Sequence, residues 1–118
     1  MRALIVDDHC GFRAVARVLL ERAGHVVVGE ASDGASTIEA VHRLDPDLVL
    51  LDIQLPDCDG FTIADQLAQH TTPPVVVLVT ARRLSTDRGR AERSPVRGLL
   101  LKESLTVEAL DALLGVVE

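Results

Sequence analysis

Five aliphatic runs recur along the chain: residues 3–6 (ALIV), 26–28 (VVV), 48–51 (LVLL), 75–79 (VVVLV) and 99–101 (LLL). Each is too short for a helix, rich in Val and Leu and free of polar residues, as expected of strands covered on both faces. Helical periodicity fills the intervals. Phe12, Val15, Ala16, Leu19 and Ala23 form a first stripe that Gly24 can terminate. Ile38, Val41 and Leu44 form a second after an Asp33–Gly34 turn, stopped by Asp45–Pro46, and Phe61, Ala64, Leu67 and Ala68 a third after Asp59–Gly60. Val107, Leu110, Leu113, Leu114 and Val117 make the last, with Thr106 placed to cap it. Between 81 and 97, Ser85, Thr86, Gly89, Ser94 and Pro95 interrupt any stripe, so a fourth helix there is expected to be short or frayed. Strands alternating with helices predict an α/β fold, a doubly wound five-stranded parallel sheet with helices on both faces.

The chain's 118 residues suffice for one core and fall short of two. The expectation is therefore one domain, 1–118, with no second domain in this chain. No apolar stretch approaches the ~20 residues of a membrane span. The opening run meets Asp7 and Asp8 before it could serve as a secretory signal, which predicts a cytoplasmic protein with no membrane partner. Cys10 and Cys58 stand apart without a CxxC pair and read as reduced thiols. The net charge of −6 argues against direct nucleic-acid binding by this domain as a whole. Residues 82–97, however, hold six of the twelve basic residues, all arginine, against Asp87 and Glu92. That segment is either a solvated face or a docking surface for an acidic partner.

In an open α/β sheet, ligands bind beyond the carboxyl ends of the strands. The runs there lead into Asp7 and Asp8, Asp52, Thr80 and Lys102, and Lys102 is the only lysine in the chain. Three carboxylates without a cation would repel and raise at least one pKa. A divalent metal resolves the conflict, and oxygen ligands with room for water suit Mg2+, or Mn2+, better than zinc. A carboxylate such as Asp52 beside that metal, with a hydroxyl and an ammonium aimed at the same spot, is suited to attack phosphorus and form an acyl phosphate.

The segments LIVDDH (residues 4–9), LVLLDIQLPDCDGF (48–61), VLVTA (77–81) and GLLLKES (98–104) resemble, in order and spacing, the landmarks of the response-regulator receiver domain of two-component signalling. The resemblance implies the flavodoxin-like, CheY-like topology with strand order 2-1-3-4-5. It makes Asp52 the phosphoacceptor, Asp8 a direct magnesium ligand, Asp7 a ligand acting mainly through water, and the Gln54 backbone carbonyl a further ligand. Thr80 becomes the hydroxyl that moves toward the phosphoryl group and Lys102 its ion-pair partner, while Pro56 and Gly60 match the family's shaped loop after the phosphoacceptor. The implied partner is a sensor histidine kinase, with a candidate homodimer through the fourth helix, fifth strand and fifth helix, where Leu110, Leu114 and Val117 join either a dimer seam or the core. DDHCGFR (7–13) is similar to the subgroup preceding a LuxR-type helix-turn-helix output domain, which implies transcription regulation by a stand-alone receiver or by part of a longer regulator.

One departure concerns the switch. Leu99 stands where the family usually carries an aromatic residue, so ring rotation toward Thr80 is not available. Gln54 and Arg82 occupy the positions that influence the lifetime of the phosphorylated form in the family. Two function classes follow: a phosphoryl-accepting switch, and a pseudo-receiver that binds partners independently of phosphorylation. A phosphohydrolase is disfavoured, since Asp52–Ile53–Gln54 lacks a second aspartate to act as general acid, and so is a flavin site, whose phosphate would meet the acids after the first strand. The chain is therefore expected not to be an enzyme in the ordinary sense.

Overall fold

The computed structural model describes residues 1–81 and 85–115, with backbone alone at Ser85 and Thr86. Arg82 and Val117, singled out above, lie outside the described residues. The chain runs β1 (Arg2–Val6), α1 (Cys10–Arg22), β2 (Val26–Ala31), α2 (Gly34–Leu44), β3 (Leu48–Asp52), α3 (Gly60–Leu67), β4 (Val75–Thr80), α4 (Ser85–Glu92), β5 (Gly98–Leu101), a single 3-10 turn (Lys102–Ser104) and α5 (Val107–Leu114). The strands form one parallel sheet in the order β2-β1-β3-β4-β5. The expected α/β architecture and strand order are both present.

Strand parity divides the aliphatic runs between two cores. Leu4, Val6, Val49, Leu51 and Leu78 join Phe61, Ala64 and Leu67 on one face, whereas Ala3, Ile5, Leu48, Leu50, Val77 and Val79 join Ala16, Leu20 and Leu110 on the other. The inner strands β1, β3 and β4 are buried almost throughout, which their unbroken apolar runs require. The edge strands are not so covered: every residue of β5 is half-buried, and Val26 of β2 is 63% exposed.

Local chemistry sets the helix ends. Asp33 is the N-cap of α2 and forms a capping box with Ser36, its carboxylate accepting from the Ser36 amide at 2.8 Å, so Asp33–Gly34 opens the helix and is no separate turn. Asp59 Oδ1 accepts from the Phe61 amide at 2.6 Å, and Thr106 Oγ1 from the Ala109 amide at 3.0 Å. Gly24, just beyond the Ala23 cap of α1, takes a φ of +90°, which only glycine adopts without strain.

Three details correct the sequence reading. The buried face of α1 is centred on Ala16 and Leu20, while Val15 is 56% exposed, so the stripe was read slightly out of phase. In α3, Ile63 is buried and Ala68 is an exposed cap. Leu110 is wholly buried in the second core and takes no part in a dimer seam. The short α4 spans eight residues, as the interrupted pattern predicted.

His25 occupies a buried position just ahead of β2. Burial, and then the Met1 ammonium 3.1 Å from its Nδ1, hold its pKa below the ordinary 6.5 against the opposing charge of Asp111. The unfolded chain therefore takes up this proton first. The residue's contribution to stability is complete above pH 6.5 and is lost as pH falls through 6.5 toward the lower folded value. Urea midpoints at pH 7.5 and 5.5 are expected to differ less in His25→Phe than in the parent, and equal differences in both proteins would rule the effect out.

Candidate functional site

The topology reverses between β1 and β3: β2 lies to one side of this pair, β4 and β5 to the other. At such a switch point the strand ends part and leave a crevice. Asp7, directly after β1, and Asp52, the last residue of β3, face it and are both buried (0% and 4% exposed). Lys102, directly after β5, reaches between them, with Nζ 2.5 Å from Asp7 Oδ2 and 3.2 Å from Asp52 Oδ2. The contact with Asp7 is a close ion pair with no aligned hydrogen bond, since Asp7 Oδ2 is buried without a well-directed donor. The Lys102 ammonium also faces the Phe12 ring, with Nζ 4.5 Å from the ring centre.

The remaining partners fix the carboxylates. Asp52 Oδ1 accepts from the Gln54 amide at 3.1 Å, and Asp7 Oδ1 from the His9 amide at 2.8 Å. Asp8 sits at the rim, 3.0 Å from His9 Nδ1. Thr80 is the buried last residue of β4, paired in register with Leu101 and so one residue from Lys102. Ligand atoms of Asp7, Asp8, His9 and Asp52 lie within 4.8 Å of one another.

The electrostatics follow from burial and like charge. Asp52 is pushed above the usual carboxylate value by burial and then by Asp7, against the Gln54 amide and Lys102. Burial acts to lower the Lys102 ammonium, but Asp7 and Asp52 outweigh it and hold its pKa above normal. One ammonium thus balances two buried carboxylates, and Asp8 adds a further negative charge. A small divalent cation fits this surplus and the oxygen-rich donor set.

The sequence residues Asp7, Asp8, Asp52, Thr80 and Lys102 therefore stand at the expected strand ends, with Asp7, Asp52 and Lys102 in direct contact. Gln54, exposed beside Asp52, pairs as an antiparallel bridge with Asp59. Several supporting residues were missed. His9 joins the acidic cluster, and its place next to the Asp7–Asp8 pair was the available signal. Arg13 Nη1 donates to the Asp7 carbonyl at 2.6 Å and is held by Glu30, with Nε donating to Oε1 at 2.9 Å. Asp57 reaches from the β3–α3 loop to accept from the Gly34 and Ala35 amides at 2.7 and 3.1 Å, tying that loop to the start of α2. No spacing rule could reveal the last two contacts.

Leu99 packs with Val96 against the first core and lines a cavity of about 250 Å3 between α4 and β5. The arginine-rich segment is less free than its composition suggests. Arg90 binds Asp59 at 2.8 Å and covers the Phe61 ring at 4.3 Å, and Arg97 donates to the Leu113 carbonyl at 3.4 Å.

The response regulator receiver domain family matches residues 3–114. The nitrate/nitrite response regulator protein NarL of Escherichia coli is 34% identical over 93% of the chain, and the protein-glutamate methylesterase/protein-glutamine glutaminase 6 of Anaeromyxobacter dehalogenans is 38% identical over 93%. The chain spans 51% of the first and 36% of the second, about half or less of these relatives. Among solved structures, a two-component response regulator of the LuxR family from Aurantimonas superposes with a TM-score of 0.86 at 28% identity, covering 98% of this chain and 83% of that one.

Proposed function

Since the chain belongs to the response regulator receiver domain family, we propose that it accepts a phosphoryl group on Asp52 from a histidine kinase and so controls a transcription regulator. The observation that carries this reading is the crevice itself: a buried Asp52 carboxylate with one oxygen on the Gln54 amide and the other facing the single lysine of the chain. An Asp52 oxygen forms the new bond to phosphorus, while the bond from phosphorus to the kinase's imidazole breaks and its electron pair leaves with the imidazole. Lys102 and Thr80, at adjoining strand ends, supply positive charge and a hydroxyl to the transferred oxygens. Asp7, Asp8, Asp52 and the Gln54 carbonyl are the groups that would hold Mg2+, which when bound neutralises charge on the phosphoryl oxygens. Leu99 favours one qualification: any switching proceeds without an aromatic ring at that position, through the Thr80 end of β4 and its neighbour β5.

The test is intact mass after incubation with acetyl phosphate. The parent protein is expected to gain one phosphoryl group, about 80 Da, with Mg2+ and none with a chelator. Asp52→Asn should gain none under either condition. A folded parent protein that gains no mass with Mg2+ present would point instead to a module that binds partners without phosphorylation.

A further inference from the structure

Asp57 stands outside the crevice, exposed on the loop between β3 and α3, yet both its carboxylate oxygens are engaged by backbone amides of another element. Oδ1 accepts from the Gly34 amide at 2.7 Å and Oδ2 from the Ala35 amide at 3.1 Å. We infer that Asp57 is a positioning residue of the crevice: through the start of α2 it ties the loop carrying Gln54 to the Asp7 side and so sets the spacing of the groups that would hold Mg2+, a role that rests on Asp52 being a metal-dependent phosphoacceptor.

The loop can transmit position because it is closed on itself. Gln54 and Asp59 pair as an antiparallel bridge, the Leu55 amide donates to the Cys58 carbonyl at 3.2 Å, and the Gly60 amide donates to the Ile53 carbonyl at 2.7 Å. Residues 54–59 thus form a short hairpin with Gln54 at its base and Asp57 in its tip, so a displaced tip turns the base with it. The other end of the tie is also fixed. Asp33 and Ser36 form the capping box of α2, and the Asp7 amide donates at 3.0 Å to the carbonyl of Ala31, two residues before that cap. A continuous path of short contacts therefore runs from Asp7, by way of Ala31 to Ala35 and then Asp57, to Gln54 beside Asp52.

The chemistry at the junction suits a fixed anchor. As the first two residues of α2, Gly34 and Ala35 present amides with no intrahelical acceptor, at the end of the helix where negative charge is stabilised. The Gly34 amide holds the Asp57 carboxyl below its ordinary value of 3.8 against desolvation, and the Ala35 amide adds to the effect, so the anchor is an anion at neutral pH. Gly34 also permits the close approach of the tip: a Cβ there would collide with Cys58 Sγ and come within 3.2 Å of Asp57 Oδ1.

Coupling of this kind is reciprocal: metal in the crevice should steady the tie, and loss of the tie should weaken the metal. Amide NMR on the 118-residue protein titrated with MgCl2 follows both, in ~0.15 M salt to screen the surface charge that the substitutions remove. Asp57→Ala is expected to weaken Mg2+ binding about fivefold or more, as loss of outer-shell partners does at other metal sites. Asp57→Asn, which keeps one acceptor oxygen, should fall between Asp57→Ala and the parent. Mg2+ should slow hydrogen exchange of the Gly34 and Ala35 amides in the parent and leave it unchanged in Asp57→Ala. Phosphoryl uptake by Asp57→Ala should need correspondingly more Mg2+ but reach the parent's rate at saturation. Because Asp57 is exposed, both variants are compatible with folding. Equal Mg2+ affinity of parent and Asp57→Ala, or equal weakening by alanine and asparagine, would overturn the positioning role and leave Asp52 as phosphoacceptor; a parent that binds no Mg2+ would overturn both.

Discussion

Lys102→Met is expected to destabilise the protein by about 3–5 kcal/mol at neutral pH, the usual effect of removing one partner from a buried ion pair. The methionine keeps a side chain of similar length but leaves Asp7 and Asp52 facing each other without the ammonium that stands 2.5 and 3.2 Å from them. The pH dependence has a definite sign. Asp52 already titrates above the ordinary carboxylate value of 3.8 because of burial and Asp7, and loss of Lys102 removes an opposing influence. A carboxyl whose folded pKa is raised favours the fold below that pKa and loses the contribution as pH rises through it. The variant should therefore recover part of its stability on acidification, and also on addition of Mg2+, which replaces the missing positive charge. Asp7→Asn in the Lys102→Met background should relieve the defect in the same way, giving strong non-additivity in a double-mutant cycle. Urea unfolding of the four proteins at pH 5.5 and 7.5 checks this. Equal stability of Lys102→Met and parent at pH 7.5 would show that the carboxylates do not depend on the lysine.

Gly60→Val is expected to be at least as damaging, because the obstruction is backbone. A Cβ at Gly60 would collide with the carbonyl oxygen of Asp52 and come within 2.9 Å of Ile53 Cα. Neither atom can rotate away as a side chain could, and the Gly60 amide is itself committed to Ile53 O at 2.7 Å. Overpacking of flexible cores costs about 1–3 kcal/mol, and a rigid clash should reach or exceed that range. The thermal midpoint should then drop by about 10 °C or more. Because the displaced atoms belong to Asp52, phosphoryl incorporation should fall even at temperatures where the variant is folded. Gly11→Ala is the matched control: nothing lies within 4 Å of a Cβ there, and in α1 the change should be neutral or stabilising by about 0.5 kcal/mol. A Gly60→Val midpoint equal to that of Gly11→Ala would exclude the clash.

The carboxyl-end placement of Asp7, Asp52, Thr80 and Lys102 was legible because each terminates an aliphatic run, and strand ends in a parallel sheet share one edge. The fourth helix was legible as a weakness, since Gly89 and flanking serines interrupt any apolar stripe. The phase of α1 was less so. Val15 and Leu20 are both aliphatic residues on one helix, and only the angle at which α1 meets the sheet decides that Leu20 is buried and Val15 is not.

The order and kind of the elements, the unbroken aliphatic runs of the inner strands, and the residues available to the crevice were determined by the sequence alone, since periodicity and turn chemistry act over a few residues. The tertiary structure decided everything that needs two distant segments in one place. Parity along each strand assigned neighbouring aliphatic residues to opposite cores. The position of α4 brought Arg90 from a candidate docking group to the side chains of Asp59 and Phe61. The loop after β3 found its anchor when Asp57 met the amides that open α2, 23 residues earlier in the chain. His42 and His70 became neighbours because α2 and α3 pack side by side, an outcome of sheet order and helix length that no local pattern encodes.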